Sequence, residues 1–248
     1  MEQSLGKKIF HICMIIAIIV AIFLGVGILM LRYQTKGETN LPFEISKIAI
    51  ISSVDGINNP NAESPWNITV NQNNDVYLYI DKNKDYNKTE AIDTIIIDNI
   101  SINKEVQKGE IHIYKPAQSD KELFQNTEEN LVEQITYTGD IQSNIKELKI
   151  ANQGDLLRLR FANDNLSTYT STEGEQIDYG KLLQLTNTTI EDLKANVKFD
   201  ITLNLKSGKS FKANVTLDIP VQEVIEKGTA STEITELNNI IFKRIENN

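Results

Sequence analysis

The histidines, the cysteine and the carboxylates are the side chains of this protein with the greatest potential for catalysis or metal binding. Only two histidines and one cysteine occur among 248 residues. His112 stands between Ile111 and Ile113 in an alternating run, which predicts an exposed position on a strand. A Ser/His/Asp triad would depend on His112 alone, and its sequence neighbours suggest neither a nucleophile elbow nor an oxyanion loop. The sequence therefore predicts no catalytic residues and a protein that is not an enzyme.

A pair of carboxylates acting as acid and base, as in glycosidases, is the alternative catalytic arrangement. The chain holds 34 acidic residues, and most of them occupy alternating positions that are expected to face solvent. A carboxylate-dependent, carbohydrate-active hydrolase is therefore the alternative function.

One short segment has the spacing of a calcium loop. Oxygen-bearing side chains occupy every second position there: Asp81, Asn83, Asp85 and Asn87. This spacing resembles the start of an EF-hand loop, but Tyr86 replaces the glycine of the turn and Ile92 replaces the bidentate glutamate. These four residues are candidate ligands for Ca²⁺, a polar loop between two strands is the competing interpretation, and no other cofactor is predicted.

Aromatic side chains in the predicted strands offer a surface on which a sugar ring can stack. Trp66, Tyr77 and Tyr79 form a candidate ligand platform, and packing within a sheet is the competing explanation for them. The expected partners are an envelope protein, a peptide or a polysaccharide.

Charge and cysteine content exclude several classes of partner and site. The net charge is −9; residues 1–36 contribute +3, so the remainder carries −12. An acidic surface repels phosphate backbones, so we expect no nucleic-acid binding. The single cysteine, Cys13, lies in the apolar segment near the N-terminus, which excludes disulfides and thiolate metal sites from the rest of the chain. A cysteine-free body favours a bacterial cell envelope.

An uncharged apolar run from Ile9 to Leu31 predicts a transmembrane helix. At about 1.5 Å per residue it is roughly 34 Å long, enough to cross a hydrocarbon core of about 30 Å. A cleaved signal peptide is the alternative, with Gly25-Val26-Gly27 as its cleavage site, but cleavage there would leave the apolar stub 28–31 exposed.

The topology expected from this helix is that of a single-pass signal-anchor. Residues 1–8 form a cytoplasmic stub, residues 9–31 cross the cell membrane, residues 32–42 are a linker, and the domain that follows is extracytoplasmic. Basic residues on the two sides of the span are nearly balanced, so this orientation relies on the long acidic domain after the helix.

Alternating apolar and polar residues predict strands throughout the body. The clearest example is a hairpin in which alternate residues of 197–205 and 211–219 are apolar, joined by a turn around Gly208. Shorter strands are predicted at Trp66 to Val70, at Val76 to Ile80 and in the Ile-rich run from Ile92 to Ile102. Short helices are expected within 120–131, 178–185 and 189–194. The tail is ambiguous, since Ile234, Leu237, Ile241 and Ile245 could line a helix, and a final strand is the preferred interpretation there.

These patterns predict a mainly β fold: an antiparallel β-sandwich, Ig-like or jelly-roll-like, over residues 43–228. One large sandwich and two packed sub-domains are equally consistent with this pattern of strands. Residues 229–248 are predicted to form a C-terminal tail with a final strand near Ile240 to Ile245. The function that follows is a membrane-anchored binding or structural module of the cell envelope. A structural subunit of a membrane assembly is a further alternative to the hydrolase.

Overall fold

The computed structural model describes residues 2–36, 41–58, 65–106 and 108–245. Residues 37–40 of the predicted linker, the first residue of the predicted stub and the last three residues of the predicted tail lie outside these ranges. The described residues belong to two units, an N-terminal helix and a β-rich body that begins at Leu41.

The N-terminal helix, α1, extends over Glu2–Lys36 and is longer at both ends than the predicted span. Its segment Met14–Arg32 has a mean hydropathy of 3.1, and its apolar side chains are exposed. An apolar helix of this length exposed on all faces is suited to an apolar medium rather than water. The helix is therefore long and apolar enough to cross a membrane, and a signal sequence has the same properties.

The described part of the body contains eleven strands arranged in two sheets. The strands are β1 (Phe43–Asn58), β2 (Asn67–Lys82), β3 (Ile92–Asn103), β4 (Glu110–Tyr114), β5 (Ile135–Asp140), β6 (Lys149–Ala151), β7 (Asp155–Thr170), β8 (Asn196–Leu205), β9 (Ser210–Asp218), β10 (Thr229–Ile234) and β11 (Lys243–Ile245). The first sheet has the order β10-β1-β2-β7-β4 and the second β11-β9-β8-β3-β5-β6. Every pair of neighbouring strands is antiparallel except β5 and β6, so the second sheet is mixed. The mainly β prediction is confirmed.

One apolar core is shared by the two sheets. Ile48 and Leu157 from the first sheet and Ile95 and Phe199 from the second belong to the same buried cluster. The predicted hairpin is confirmed as the β8–β9 pair, whose apolar side chains face this core, while the alternate polar side chains are at least partly exposed, with buried exceptions such as Thr202. Gly208 has a φ of 82° in the turn, a conformation that glycine adopts without strain.

Strand β2 differs from the prediction. Two short strands were expected, but a single strand of 16 residues runs through the intervening polar segment Asn71-Gln72-Asn73-Asn74, whose side chains are buried. The strand continues because neighbouring groups satisfy these amides: Asn74 accepts from Ser52 Oγ at 2.6 Å and donates to the carbonyl of Phe161 at 3.1 Å. A bulge between Val70 and Gln72 marks where β2 shifts register against β7.

A second apolar cluster lies beyond this bulge. Ile68 and Val70 of β2 and Leu166 of β7 pack there against side chains of three short helices: α2 (Leu182–Leu185), α3 (Ile190–Leu193) and α4 (Gln222–Lys227). The first two lie within predicted helical segments, and α4 was not predicted. The segment 120–131 holds a single 3₁₀ turn at Glu128–Asn130.

The C-terminal segment contributes a strand to each sheet. Strand β10 pairs with β1, and β11 pairs with β9. The predicted final strand thus corresponds to Lys243–Ile245, while Thr229–Ile234 is part of the first sheet.

Candidate functional site

The four candidate calcium ligands lie at the end of β2 and in the loop that follows. Asp81 accepts a hydrogen bond from Ser46 Oγ, Asn83 Oδ1 accepts from the Asp85 backbone N–H at 2.9 Å, and Asn83 Nδ2 donates to the Leu41 carbonyl at 3.0 Å. The side chains of Asp81 and Asn83 are therefore already engaged by other groups of the protein. Within the described ranges, no three His, Cys, Asp or Glu side chains come together as a metal site. Calcium binding stays a prediction.

The three aromatic residues of the predicted platform are not brought together. Trp66 packs beside the second apolar cluster, at the opposite end of β2 from Tyr77 and Tyr79. Tyr77 and Tyr79 lie on the outer face of the first sheet, and Lys47 Nζ lies 4.3 Å above the centre of the Tyr79 ring. Only the two tyrosines are therefore available as neighbours on one surface.

Arg160 on β7 is the centre of a polar network on this outer face. Its Nε and Nη2 atoms donate to the two carboxylate oxygens of Asp75 at 2.6 and 3.0 Å. Its Nη1 atom donates to Asn126 Oδ1 at 3.1 Å, and its guanidinium carbon lies 4.8 Å from the centre of the Phe124 ring. The side chains of Arg160 and Asp75 are only 14% and 17% exposed. A bidentate pair in this environment holds its donors and acceptors in fixed positions.

Asn126 extends the network to strand β4. Its Nδ2 atom donates to Asn73 Oδ1 at 2.9 Å and to Asp164 Oδ1 at 3.2 Å. The other oxygen of Asp164 accepts from His112 Nδ1 at 2.9 Å and from the Tyr114 hydroxyl at 2.8 Å. The prediction that His112 lies on a strand is confirmed, but its side chain is 34% exposed and hydrogen-bonded rather than fully exposed to solvent. Its ring is partly buried and hydrogen-bonded because Asp164 of the adjacent strand β7 lies within reach of it.

Two tyrosines near this network keep their hydroxyl protons at neutral pH. Burial, and then the carboxylate of Asp75, raise the pKa of Tyr77 above that of a free phenol. Burial and the hydrogen bond to Asp164 raise the pKa of Tyr114 well above its usual value. Both effects disfavour the charged phenolate, so each hydroxyl remains able to donate.

A groove of about 730 Å³, here called the sheet-face groove, runs along this surface. Its floor is formed by β1, β2 and β7, and its wall is the segment 122–127, which contains Phe124 and Asn126. Asn73, Asp75 and Tyr77 line it from alternate positions of β2. Amides and carboxylates that bond to hydroxyl groups thus stand beside aromatic rings, as in a site for a polar ligand with an apolar face.

Three carboxylates line the sheet-face groove, Asp55, Asp75 and Glu122, and the first two do not have the geometry of a glycosidase pair. Asp75 is opposite Ile51 of β1, four residues before Asp55. At about 3.3 Å per residue the two positions are roughly 13 Å apart along the strand. The two carboxyl groups of an inverting glycosidase are only about 6.5–9.5 Å apart. Asp75 is moreover held by Arg160 through both of its carboxylate oxygens.

A second groove, here called the edge groove, has a volume of about 830 Å³ and lies between the edge strand β4 and the part of β3 that extends past its pairing with β5. Three segments line it: 98–100 from β3, 111–113 from β4 and 131–134 before β5. His112 is the only histidine in its lining, and the Asp164 carboxylate holds its Nδ1 atom as a donor.

Sequence reasoning missed most of the residues of the polar network. Tyr77 was predicted as a ligand-contacting residue, whereas Asp75, Asn126, Arg160 and Asp164 were not. A usable signal existed at one point: the chain has only four arginines, and Arg160 is one of two that alternate with leucines in the same strand. Two arginines on one face of a strand, in a chain that has few arginines, indicate that this face carries a cluster of charged residues.

Comparisons with models of protein families, with curated proteins and with solved structures found no match. The features that bear on function are therefore the geometry of the two grooves and the apolar helix α1.

Proposed function

We propose that this chain is a single-pass, membrane-tethered binding protein of a bacterial cell envelope. In this proposal α1 anchors the chain in the lipid bilayer, and the body, a sandwich of the Ig-like or jelly-roll-like type, lies on the extracytoplasmic side. The sheet-face groove binds a polysaccharide or a short oligosaccharide unit of one. Binding without turnover is the activity, and no metal or other cofactor takes part.

The observation that carries the proposal is the fixed polar network beside the half-buried ring of Tyr77. Arg160 and Asp75 hold each other, and Asn126 is held from both of its amide atoms. Side chains that are ordered before binding lose little conformational entropy when a ligand arrives, which favours affinity. Their amide and carboxylate groups match the dense hydroxyl groups of a sugar, and the ring of Tyr77 offers an apolar face.

The charge of the body supports the same class of ligand. A net charge of −12 after residue 36 disfavours nucleic acids and other polyanions, whereas neutral glycans carry no such penalty. The competing hydrolase hypothesis requires two carboxylates at catalytic separation, and the spacing of Asp55 and Asp75 disfavours that role for this pair.

Binding by the full chain in lipid nanodiscs tests the proposal. The probes are a tetrasaccharide of N-acetylglucosamine and a glucan tetrasaccharide, titrated by isothermal calorimetry. Tyr77→Ala should weaken binding about tenfold, because an aromatic contact of this kind contributes on the order of 1–1.5 kcal/mol. Tyr79→Ala is the matched control, since Tyr79 lies on the same strand face but outside the lining of the groove, and it should leave affinity within about twofold.

Two results would count against the proposal. One is the absence of binding to either tetrasaccharide up to millimolar concentration. The other is an equal loss of affinity in both tyrosine variants, which would place the binding surface elsewhere on the sheet. Release of shorter sugars during the titration would instead support the hydrolase.

A further inference from the structure

The edge groove presents backbone hydrogen-bonding groups of β4 that no neighbouring strand uses. The Ile113 carbonyl accepts from the Val132 N–H at 2.9 Å, and the Lys115 N–H donates to the Asn130 carbonyl at 3.0 Å. Both groups point away from β7, and in an antiparallel pair alternate residues point the same way. The N–H and C=O of Ile111 and the N–H of Ile113 therefore face the groove, and the described residues supply no hydrogen bond to them.

The facing wall belongs to β3 and is less suited to accept a new strand. Strand β5 covers β3 only over Thr94–Ile97, so in the described part of the chain the edge from Asp98 onward is unpaired on that side. A register shift between Asp98 and Ser101, with Asn99 at a φ of 51°, interrupts the regular spacing of its backbone groups. A bulge of this kind hinders ladder formation. An added strand therefore fits the edge of β4 better than the edge of β3.

The floor of the edge groove is apolar. Ile100, Ile111 and Ile113 are partly buried there, and Ile100 and Ile113 pack against the main core. A strand added to β4 would direct alternate side chains inward onto these isoleucines. Backbone pairing would supply affinity, and the apolar floor would select for alternating apolar residues.

The charges around the edge groove are acidic. Asp98 and Glu133 line it, Glu110 begins β4, and no lysine or arginine belongs to the described lining. The nearby Lys212 is engaged by Asp200 at 2.9 Å and by Asp98 at 3.6 Å. A segment with lysine or arginine at its solvent-facing positions complements this charge, whereas a second copy of β4 would bring a further glutamate against it.

We propose that the edge groove binds an extended cationic peptide segment, which adds to β4 as an additional antiparallel or parallel strand. The Ile111 N–H and C=O are the backbone groups available to it, because Val132 already lies opposite Ile113. The outward-facing basic residues of the peptide lie near Glu133 and Glu110. This site is separate from the sheet-face groove, so the proposal does not depend on glycan binding.

A labelled peptide with alternating valine and lysine tests this proposal with the full chain in nanodiscs. Binding is followed by fluorescence anisotropy, with two control peptides of equal length. In one control glutamate replaces lysine, and in the other the backbone nitrogens on both edges are methylated. The lysine peptide should bind, and each control should bind at least about tenfold more weakly, because one loses the charge match and the other the ladder bonds.

Two matched variants place the site. Glu133→Lys should weaken binding about three- to tenfold by reversing a charge in the groove, and Glu173→Lys, an exposed position in a remote turn, should leave it within about twofold. Hydrogen exchange supplies a readout that does not depend on any substitution. The peptide should slow exchange of the Ile111 amide and leave the amides of β11 unchanged.

Several outcomes would overturn the proposal: equal affinity for the lysine and glutamate peptides, full affinity of the methylated peptide, or unchanged exchange at Ile111. Protection of the Ile111 amide that grows with protein concentration in the absence of peptide would identify a second copy of the chain as the occupant instead.

Discussion

Replacement of Arg160 by methionine should destabilise the body without unfolding it. The substitution keeps the apolar stem but removes two charge-assisted bonds to Asp75, one bond to Asn126 and the contact with the Phe124 ring. It also leaves the carboxylate of Asp75 mostly buried without its cationic partner. Breaking a buried pair costs about 3–5 kcal/mol, and partial exposure lowers the expected loss here to about 2–4 kcal/mol. A domain of this size has about 5–15 kcal/mol of stability, so the variant stays folded.

The interaction between the two charges is isolated by a double-mutant cycle with Asp75→Asn. If the ion pair is the main contribution, the double variant should be more stable than the sum of the single losses predicts, by about 1–3 kcal/mol. Arg160→Lys is the matched control for charge alone. It keeps the positive charge but cannot form the bidentate contact, so it should recover only part of the loss.

Urea unfolding of the full chain in detergent measures these differences through the fluorescence of Trp66, which is the only tryptophan and packs within the body. The reasoning would be refuted by an Arg160→Met variant within about 0.5 kcal/mol of the natural protein, the range of ordinary surface changes. Strict additivity of the cycle would equally show that Arg160 and Asp75 act independently.

Three further predictions concern the turn after α4, acid stability and the anchor. Gly228→Ala should lower the free energy of unfolding by several times the roughly 1 kcal/mol expected for Gly208→Ala, as measured by urea unfolding of the two variants. Both glycines have a positive φ, but a Cβ at Gly228 would also lie 2.5 Å from the backbone oxygen of Gly180, whereas a Cβ at Gly208 would meet nothing within 4 Å. Hydrogen bonds from the backbone N–H of Thr189, and then from Lys108, lower the pKa of Asp192 in the folded protein. The ionised Asp192 therefore adds to the free energy of unfolding above pH about 4, and this contribution is lost as the pH falls below that value. Asp192→Asn should remove this part of the pH dependence of unfolding. A C-terminal tag should be removed by protease from intact cells, with lysed cells as the control, and protection until lysis would reverse the proposed orientation.

Helix α1 and the β8–β9 hairpin are elements that the local sequence is sufficient to predict. An apolar run without charge needs no tertiary partner to form a helix in an apolar medium, so α1 could be predicted from composition alone. The β8–β9 hairpin was equally predictable, because its period of two and its turn around Gly208 are properties of adjacent residues.

Strand β2 and helix α4 show where local patterns are insufficient. The polar run from Asn71 to Asn74 interrupts the apolar alternation and therefore resembles a loop in the sequence. It continues as a buried strand because Ser52 and the Phe161 carbonyl, from two other strands, satisfy its amides. Helix α4 has only six residues, too few for a periodic signal, and it is stabilised by packing with the second apolar cluster.

The candidate sites depended almost entirely on tertiary structure. Alternation predicted that the side chain of Tyr77 would lie opposite the core, but it did not predict the contacts nearby: Arg160 meets Asp75 across 85 residues of sequence, and His112 meets Asp164 across 52. Strand order and register decide such pairings, and they result from the packing of all eleven strands rather than from any one segment. The free edge of β4 is a property of the same kind, since a strand becomes an edge only through the arrangement of the others.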